Sequence, residues 1–576
     1  MELAGKAALP NTPDHAELIG RVKADASGSR AGDSPHEVDA HPALPLVWAA
    51  VITGLAFVAA LTGLRQSGFL FWDAPRYANG AAMLYDWIRS GKLLHPYSFA
   101  TSNYCQYPGF SIPYHPPVFP ALMAGFFLLS GGVSYTVARV FMACCLAVSG
   151  WVFARLLQKL GARPTVAGIS AVTLVLTPEI VRWSRDTMSE VPTLMFALAA
   201  AYFFVTWRQT ERPWRCVAAF GLAEAAFLCR FPAAGLMPAW VLFLLFTKDF
   251  KAFRAWYLYV LGALYLLVSG LWVLKLAIPF AKYETVAMDP SFYVPRLSWA
   301  NIAYYPENLP ALAGWSAVVM ALGGLVYMLA FARSRIGKPM LTFWLAWLIS
   351  YYGFQLFLAK NEARYFTLAL PGLVGLIAVL LDRDLGVRTT RVAFAALCVV
   401  LVEDVLHIAQ LPRGTTAYEQ LAARLATQTD SGDVLVAAPQ SSDFIFRYRA
   451  RKPAVQRRVL RGDRSLTIDA AEYAGVPGVV VANSPDGVIR LLRESGVRYV
   501  VTFAPTRGKS QYLNEQLAYG AVKADSGLFE PVASAPFSVD PGGVVSLWRY
   551  VGPFARTSAP STAVIPTAGL ELSCRS

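Results

Sequence analysis

The sequence predicts an all-α polytopic membrane domain followed by a small α/β domain, and three observations carry that prediction. Of 576 residues, 56% are hydrophobic and only 15% charged, against about a quarter charged in soluble domains. Long stretches, Ala43 to Leu64 and Pro310 to Ala332 among them, contain no Asp, Glu, Lys or Arg, and they match the roughly 20 apolar residues that cross a bilayer. Beyond residue 411 the pattern changes to short alternating β-like and helical runs, as expected of an α/β unit.

In chain order, residues 1–42 are polar and rich in Asp, Glu, Gly, Ser and Pro, without a periodic apolar face, so they read as a disordered cytoplasmic tail. The first apolar run begins only near Pro45 and is long enough to span, which makes it an uncleaved transmembrane helix and not a signal peptide. Eleven spans are expected, at about 43–65, 134–157, 164–181, 191–207, 214–230, 232–248, 255–279, 310–332, 339–359, 364–381 and 391–411. With the tail inside, five basic clusters all face the cytoplasm, as the positive-inside rule requires. They are Arg155/Lys159/Arg163, Arg208/Arg212/Arg215, Lys248/Lys251/Arg254, Arg333/Arg335/Lys338 and Arg383/Arg388/Arg391.

The short apolar stretch Pro116 to Ser130 would invert every later loop if it spanned. It is therefore read as a helix at the outer interface, one of several in a long loop over 66–133, where Phe69, Phe71, Trp72 and Tyr77 suit an interfacial setting. A second outside loop, 281–309, carries Tyr283, Phe292, Tyr293, Trp299, Tyr304 and Tyr305, and both loops could close over a ligand. Residues 412–552 follow as an extracytoplasmic α/β domain. Its expected helices are Tyr418–Thr427 and Asp486–Ser495, and its expected strands Val434–Ala438, Val479–Ala482 and Tyr499–Phe503. The tail 553–576 is rich in Ser, Thr, Ala and Pro and reads as disordered.

Several function classes drop out. The net charge of +14 sits largely in the inter-span clusters, so no nucleic-acid partner is expected. The seven Cys (105, 144, 145, 216, 229, 398, 574) show no CxxC spacing and no obvious pairing, and there is no Walker loop, GxSxG elbow or HExxH in a suitable context.

The charged residues of the outside loops carry the chemistry. Trp72-Asp73-Ala74-Pro75-Arg76-Tyr77 places a carboxylate at the outer membrane surface, where it can act as a base or hold a cation; equally, Asp73 could cap a helix beginning at Pro75. The short loop from Arg182 through Arg185 to Glu190 puts two Arg on the side the positive-inside rule disfavours, which suggests an anion such as phosphate, with Glu190 at the mouth of the next helix. Tyr114-His115-Pro116-Pro117 and Lys360-Asn361-Glu362-Ala363-Arg364-Tyr365 supply a titratable His and a late Arg-Tyr pair that binds phosphate or sugar, or anchors a helix. Glu224, within a span, is a further candidate with no identifiable partner.

Taken in this order, an acid in a long first outside loop, an aromatic-His-Pro-Pro helix, an Arg-rich loop ending in an acid and a late Arg-Tyr resemble the polytopic GT-C glycosyltransferases. The likeness is to the group of protein O-mannosyltransferases and lipid A aminoarabinose transferases, over roughly residues 45–385. The resemblance implies a GT-C-type membrane domain that moves a sugar from a polyprenyl-phosphate carrier to a protein, lipid or glycan acceptor on the non-cytoplasmic face, with inversion at the anomeric carbon. It casts Asp73 as principal acid and Glu190 as the second. Arg76, Tyr77, His115, Arg182, Arg185, Arg364 and Tyr365 become carrier-phosphate or substrate ligands. A bacterial inner-membrane setting with the active site outside follows, the partners being the lipid-linked donor and membrane lipids. No cofactor is required; a divalent cation is possible, though Ala74 stands where the family often has a second acid. His115 replaces a Lys common before Pro-Pro, which makes phosphate binding there pH-dependent or moves that role to an Arg. The competing readings are a transporter or flippase of lipid-linked substrates, which predicts repeats or interrupted helices, and a non-catalytic scaffold.

Overall fold

The computed structural model describes residues 44–66, 68–110, 115–277, 294–331, 338–357, 361–382, 386–453, 455–469, 477–506, 510, 512–540 and 542–553. The expected N-terminal tail, nearly all of the C-terminal one, and Tyr114, Tyr283, Phe292, Tyr293 and Lys360 lie outside these residues.

The membrane part is helical. In order come α1 (Leu46–Leu61), α2 (Asp73–Arg89), α3 (Pro96–Gln106), α4 (Val118–Leu129), α5 (Tyr135–Lys159), α6 (Pro164–Leu176), α7 (Pro178–Arg185), α8 (Glu190–Thr210) and α9 (Pro213–Phe227). Then follow α10 (Leu236–Phe246), α11 (Trp256–Trp272), α12 (Trp299–Ala313), α13 (Trp315–Phe331), α14 (Lys338–Phe357), α15 (Leu370–Leu381) and α16 (Gly386–Gln410). Each apolar segment expected to span contains a helix. Among the described residues six helices are individually long and apolar enough to cross, or up to eight when each of two bent pairs counts as one span. α1, expected to span, and α4, expected at the interface, are both among the shorter apolar helices.

The helix ends follow from local chemistry. The Ser134 hydroxyl accepts from the amides of Thr136 and Val137 to cap α5. Pro164, Pro178 and Pro213 open α6, α7 and α9, where a missing N–H costs nothing. Pro178 also breaks α6 from α7 with a 55° bend, since the residue before proline is driven out of the helical region. α12 and α13 turn by 118° at Gly314, whose φ of +84° favours glycine. Glu403 of α16 then accepts the exposed amides of Trp315 and Ser316 at 2.8 and 2.9 Å. Glu224 does have a partner: the Ser269 hydroxyl of α11 donates to it at 2.9 Å, making it a helix–helix contact.

Beyond α16 lie α17 (Ala417–Ala426), β1 (Asp433–Ala437), α18 (Ser441–Ala450), β2 (Val459–Arg461), β3 (Thr467–Asp469), β4 (Pro477–Val480), α19 (Pro485–Glu494), β5 (Val497–Ala504), α20 (Leu513–Ala524), β6 (Phe529–Phe537) and β7 (Gly543–Tyr550). Five strands form one sheet in the order β2-β1-β5-β7-β6. β1 is parallel to β2 and β5, whereas β7 runs antiparallel to both β5 and β6. Two apolar clusters line this unit, one including Val434, Val436, Tyr499 and Leu547, the other including Leu435, Val500, Leu492 and Ala521; β1 and β5 feed both by alternation. Cys105 is disulfide-bonded, a pairing that Cys spacing does not reveal.

Two aromatic residues expected at the membrane interface are instead interior. Phe69 is fully buried and Tyr77 nearly so. Phe69 packs edge-on against Tyr135 and Phe446 at 5.0 and 5.4 Å, because the segment before α2 is clamped under the α/β unit.

Candidate active site

The acid at the start of α2 does not cap it. Asp73 lies in the first turn, Trp72 is the N-cap, and no side-chain capping bond forms there. The side chain turns inward, 10% exposed. Its Oδ2 is 2.8 Å from Arg364 Nη1, and its Oδ1 is 3.7 Å from Arg76 Nη1 and 3.9 Å from His115 Nε2. Burial alone would raise this carboxyl, but Arg364, with Arg76 beside it, holds it well below the usual carboxylate range. His115 is itself pushed down to about 3, first by burial and then by Arg76, Arg230 and Arg364, against the pull of Asp73. It is therefore neutral at pH 7, and the charge that keeps Asp73 ionised comes from the guanidiniums, Arg364 above all at its 2.8 Å contact.

A second acid–arginine pair stands beside the first. Glu190, the first residue of α8 and 1% exposed, meets Arg230 at 2.7 Å. Arg230 Nη1 also donates to Ser189 Oγ at 3.1 Å, and that hydroxyl donates to Tyr77 Oη at 3.1 Å. Tyr77 stacks on His115 with centroids 4.4 Å apart, and burial holds its phenol above the ordinary range. The Tyr365 ring joins the pairs: Arg230 lies 5.2 Å and Arg364 5.3 Å from its centroid. Arg364 also binds Glu362 and covers the Phe71 ring at 4.3 Å. Three carboxylates (Asp73, Glu190, Glu362) thus share one cluster with three guanidiniums (Arg76, Arg230, Arg364).

Of the residues singled out by sequence, the fold brings Asp73, Arg76, Tyr77, His115, Glu190, Arg364 and Tyr365 together. Arg182 sits one aromatic layer away. It covers the Trp183 ring at 4.8 Å, Trp183 packs edge-on against Phe71 at 5.6 Å, and Arg182 pairs loosely with Glu179 at 3.7 Å. Arg185 goes elsewhere: it donates to the carbonyls of Ala59 and Ile408 at 2.9 and 3.0 Å, stapling α7 to α1 and α16. Sequence reasoning missed Arg230 and gave Glu362 no role. The signal for Arg230 was available, since it is an Arg at an outside span boundary, the same argument that singled out Arg182.

The segment carrying Asp73 is held from two sides. Asp186 accepts the amides of Leu70 and Phe71 at 2.5 and 2.7 Å, while Tyr135 Oη donates to the Gly68 carbonyl at 3.0 Å. From the α/β unit, Gln440 Nε2 donates to the Leu70 carbonyl at 2.8 Å. Asn79 of α2 donates to the Ser442 carbonyl at 2.8 Å, and Arg449 of α18 reaches the Ala82 carbonyl at 2.7 Å. A Cβ at Gly68 would stand 1.9 Å from the Thr415 carbonyl oxygen, so this close approach requires glycine. Gln440 itself has φ +54°, a conformation a non-glycine residue keeps only when its surroundings enforce it.

Asp73, Glu190 and Glu362 each already face a guanidinium. Among the described residues no three His, Cys, Asp or Glu converge as metal ligands.

Residues 114–273 match the family described as dolichyl-phosphate-mannose-protein mannosyltransferase; that stretch contains His115, Arg182, Glu190 and Arg230. No curated protein matches the chain. Among solved structures, ArnT from Cupriavidus metallidurans in the apo state superposes with a TM-score of 0.56 at 14% identity, covering 87% of this chain and 98% of that one. Its complex with undecaprenyl phosphate gives 0.55 at 13% identity with the same coverage. The apo oligosaccharyltransferase of Archaeoglobus fulgidus gives 0.52 at 12% identity, covering 79% of this chain and 69% of that one. At such identities the likeness is one of fold, and the fold is that of GT-C glycosyltransferases.

Proposed function

We propose that this GT-C-fold chain is a membrane glycosyltransferase that moves a sugar from a polyprenyl-phosphate carrier to an acceptor hydroxyl, with the Asp73 carboxylate as the catalytic base. The observation that carries the reading is the Asp73–Arg364 pair: an ionised carboxylate, not committed to capping its helix, buried in a cluster of guanidiniums. The family match and the ArnT structure holding undecaprenyl phosphate support a lipid-phosphate donor.

In this reading the carrier phosphate enters beside Arg364 and Arg230, with Arg182 and Arg76 at the flanks and Tyr365 fixing the two central guanidiniums. Spreading the leaving phosphate's charge over fixed donors lowers the barrier where charge develops. Arg364 cannot serve phosphate and Asp73 equally. As the phosphate draws its charge, the effect that depresses the Asp73 carboxyl weakens and its basicity rises. Asp73 then orients the acceptor hydroxyl and takes its proton. The acceptor oxygen bonds to the anomeric carbon from the side opposite the breaking bond to phosphate oxygen, with inversion, and the carrier phosphate leaves. Glu190 acts through Arg230 as a positioning residue. The basic clusters between the apolar segments, with the tail taken as inside, support the non-cytoplasmic face of a bacterial inner membrane for this site and for the α/β unit beside it.

The test is purified protein in detergent with carrier labelled in its sugar. Release of free polyprenyl phosphate coupled to label appearing in acceptor supports the proposal. A transporter or flippase would relocate intact carrier in vesicles and leave the sugar–phosphate bond unbroken, and that result would replace it.

A further inference from the structure

Away from the acid–arginine cluster, at the other end of α2, a polar cleft opens between α2, α3 and the C-terminal end of α18. It consists of two adjoining hollows of about 360 and 560 Å³ that share Tyr85, Asp86, Asn103, Gln106, Lys452 and Gln456. That size suits a small-molecule or saccharide ligand.

Three features of the walls define what would fit. First, the cleft presents carboxamides from separate elements: Asn103 and Gln106 on α3, and Gln456 in the segment after α18. Gln106 and Gln456 already lie 3.2 Å apart, donor to acceptor, across the cleft. A carboxamide offers a donor and an acceptor side by side, the pattern that adjacent hydroxyls on a sugar ring satisfy. Second, the charge is lopsided. Asp86 is engaged by Arg449 at 2.5 Å, which leaves Arg89 and Lys452 as the unbalanced charges on the rim. Arg449 is 7% exposed, and its Nε has no hydrogen-bond partner among the described residues. Lys452 is held at φ +48°, where glycine or asparagine would sit without strain, so the lysine is kept there against its backbone preference. Third, aromatic faces border the polar groups: Arg89 lies 5.6 Å from the Tyr85 centroid, and Phe99 lines the outer hollow.

We propose that this cleft binds the acidic saccharide portion of an extended acceptor glycan, with the carboxamides on its hydroxyls and Arg89 and Lys452 on its carboxylates. This rests on the glycosyltransferase reading and names the acceptor class for it. Asp86 and Asp73 are 13 residues apart on one helix, so the cleft lies about 20 Å from the catalytic carboxylate. A glycan must therefore run several sugar units to occupy both. The α/β unit contributes one wall of the cleft as well as the grip on Leu70, which gives it a role in acceptor selection.

The experiment uses the full chain in detergent micelles and fluorescence anisotropy of labelled oligosaccharides. A galacturonic acid tetramer should bind at least ten-fold more tightly than a neutral glucose tetramer. The double variant Arg89→Glu/Lys452→Glu should lose at least ten-fold in affinity for the acidic tetramer, and Gln106→Ala/Gln456→Ala several-fold. Both variants should keep the wild-type rate of carrier cleavage with a monosaccharide acceptor, which also verifies folding. The proposal is overturned by equal binding of the neutral tetramer, by affinities unchanged in both variants, by an acidic peptide binding as well as the sugar, or by inorganic phosphate competing at the same concentration as the tetramer. Binding to the cleft without any carrier cleavage by wild type would instead count against the glycosyltransferase reading and leave the saccharide site standing.

Discussion

Replacing Arg364 by Gln removes the cation that sets the state of Asp73, and its effect can be worked from the geometry. At 2.8 Å, with an effective dielectric of about 20, the pair attracts by roughly 6 kcal/mol before desolvation is charged against it. Both side chains are about nine-tenths buried, at 8% and 10% exposure. The range for deleting one partner of a buried pair, about 3–5 kcal/mol, therefore applies. In the variant Asp73 keeps its burial and only Arg76 at 3.7 Å as a neighbouring Arg, so its carboxyl rises. The sign follows from linkage. In the wild type the folded carboxyl lies below its unfolded value, so its stabilisation is present above about pH 4 and lost as pH falls through the folded value. In Arg364→Gln that acid-side stabilisation disappears, and the acid limb of kcat/KM moves upward. The assay is release of polyprenyl phosphate from labelled carrier between pH 4 and 8, with thermal unfolding of the same samples. We expect turnover at pH 7 to fall by about 10²–10⁴, a lower unfolding temperature, and partial recovery with Arg364→Lys. A variant with the wild-type pH profile and unfolding temperature would refute the reasoning.

Three further outcomes are expected. Arg230→Ala leaves Glu190 buried without its 2.7 Å partner and cuts the link through Ser189 to Tyr77; transfer should drop by about 10²-fold or more, and the double variant Arg230→Ala/Glu190→Gln should be more stable to heat than the single one. Asp186→Ala releases the Leu70 and Phe71 amides, so kcat should fall with carrier affinity nearly unchanged, since the acid is misplaced and the phosphate ligands are not. His115, held down at about 3 by burial, favours the fold above its unfolded value near 6.5, and stability should decline below that pH by up to about 1.4 kcal/mol per pH unit. His115→Asn should flatten this decline in an unfolding-temperature series from pH 7 to 4; an unchanged slope would show that another group titrates.

The membrane helices were legible because lipid imposes a long apolar run that survives without tertiary information. The α/β unit was legible in its helices α17 and α19 and in β1 and β5, whose short apolar runs are buried on both faces. β6 was hidden because it contains Pro531 and Pro536 and is largely exposed at the sheet edge. α18 was hidden because Asp443, Arg447 and Arg449 read as a solvated face, yet all three are buried. They pair with Glu419, Asp86 and one another, and Arg447 also covers the Tyr135 ring at 4.1 Å. Charge spacing alone does not distinguish such a buried network from a surface.

The candidate site shows the same division. Loop position singled out Asp73, Glu190 and Arg364, because a charge beside the outer rim of a bilayer is conspicuous. It could not separate Arg182 from Arg185. They stand three residues apart in one short helix, and their fates diverge only when Arg185 meets the ends of α1 and α16. That Asp73 does not cap its helix also needed geometry, since both readings place the same residue at the same helix start.

The most direct test of the central claim is single-turnover transfer by Asp73→Asn with saturating labelled carrier, measured beside carrier binding. The account predicts carrier affinity within a few-fold of wild type, because Arg364 and Arg230 remain, and a transfer step slower by about 10²–10⁴. Turnover by Asp73→Asn at the wild-type rate would contradict it.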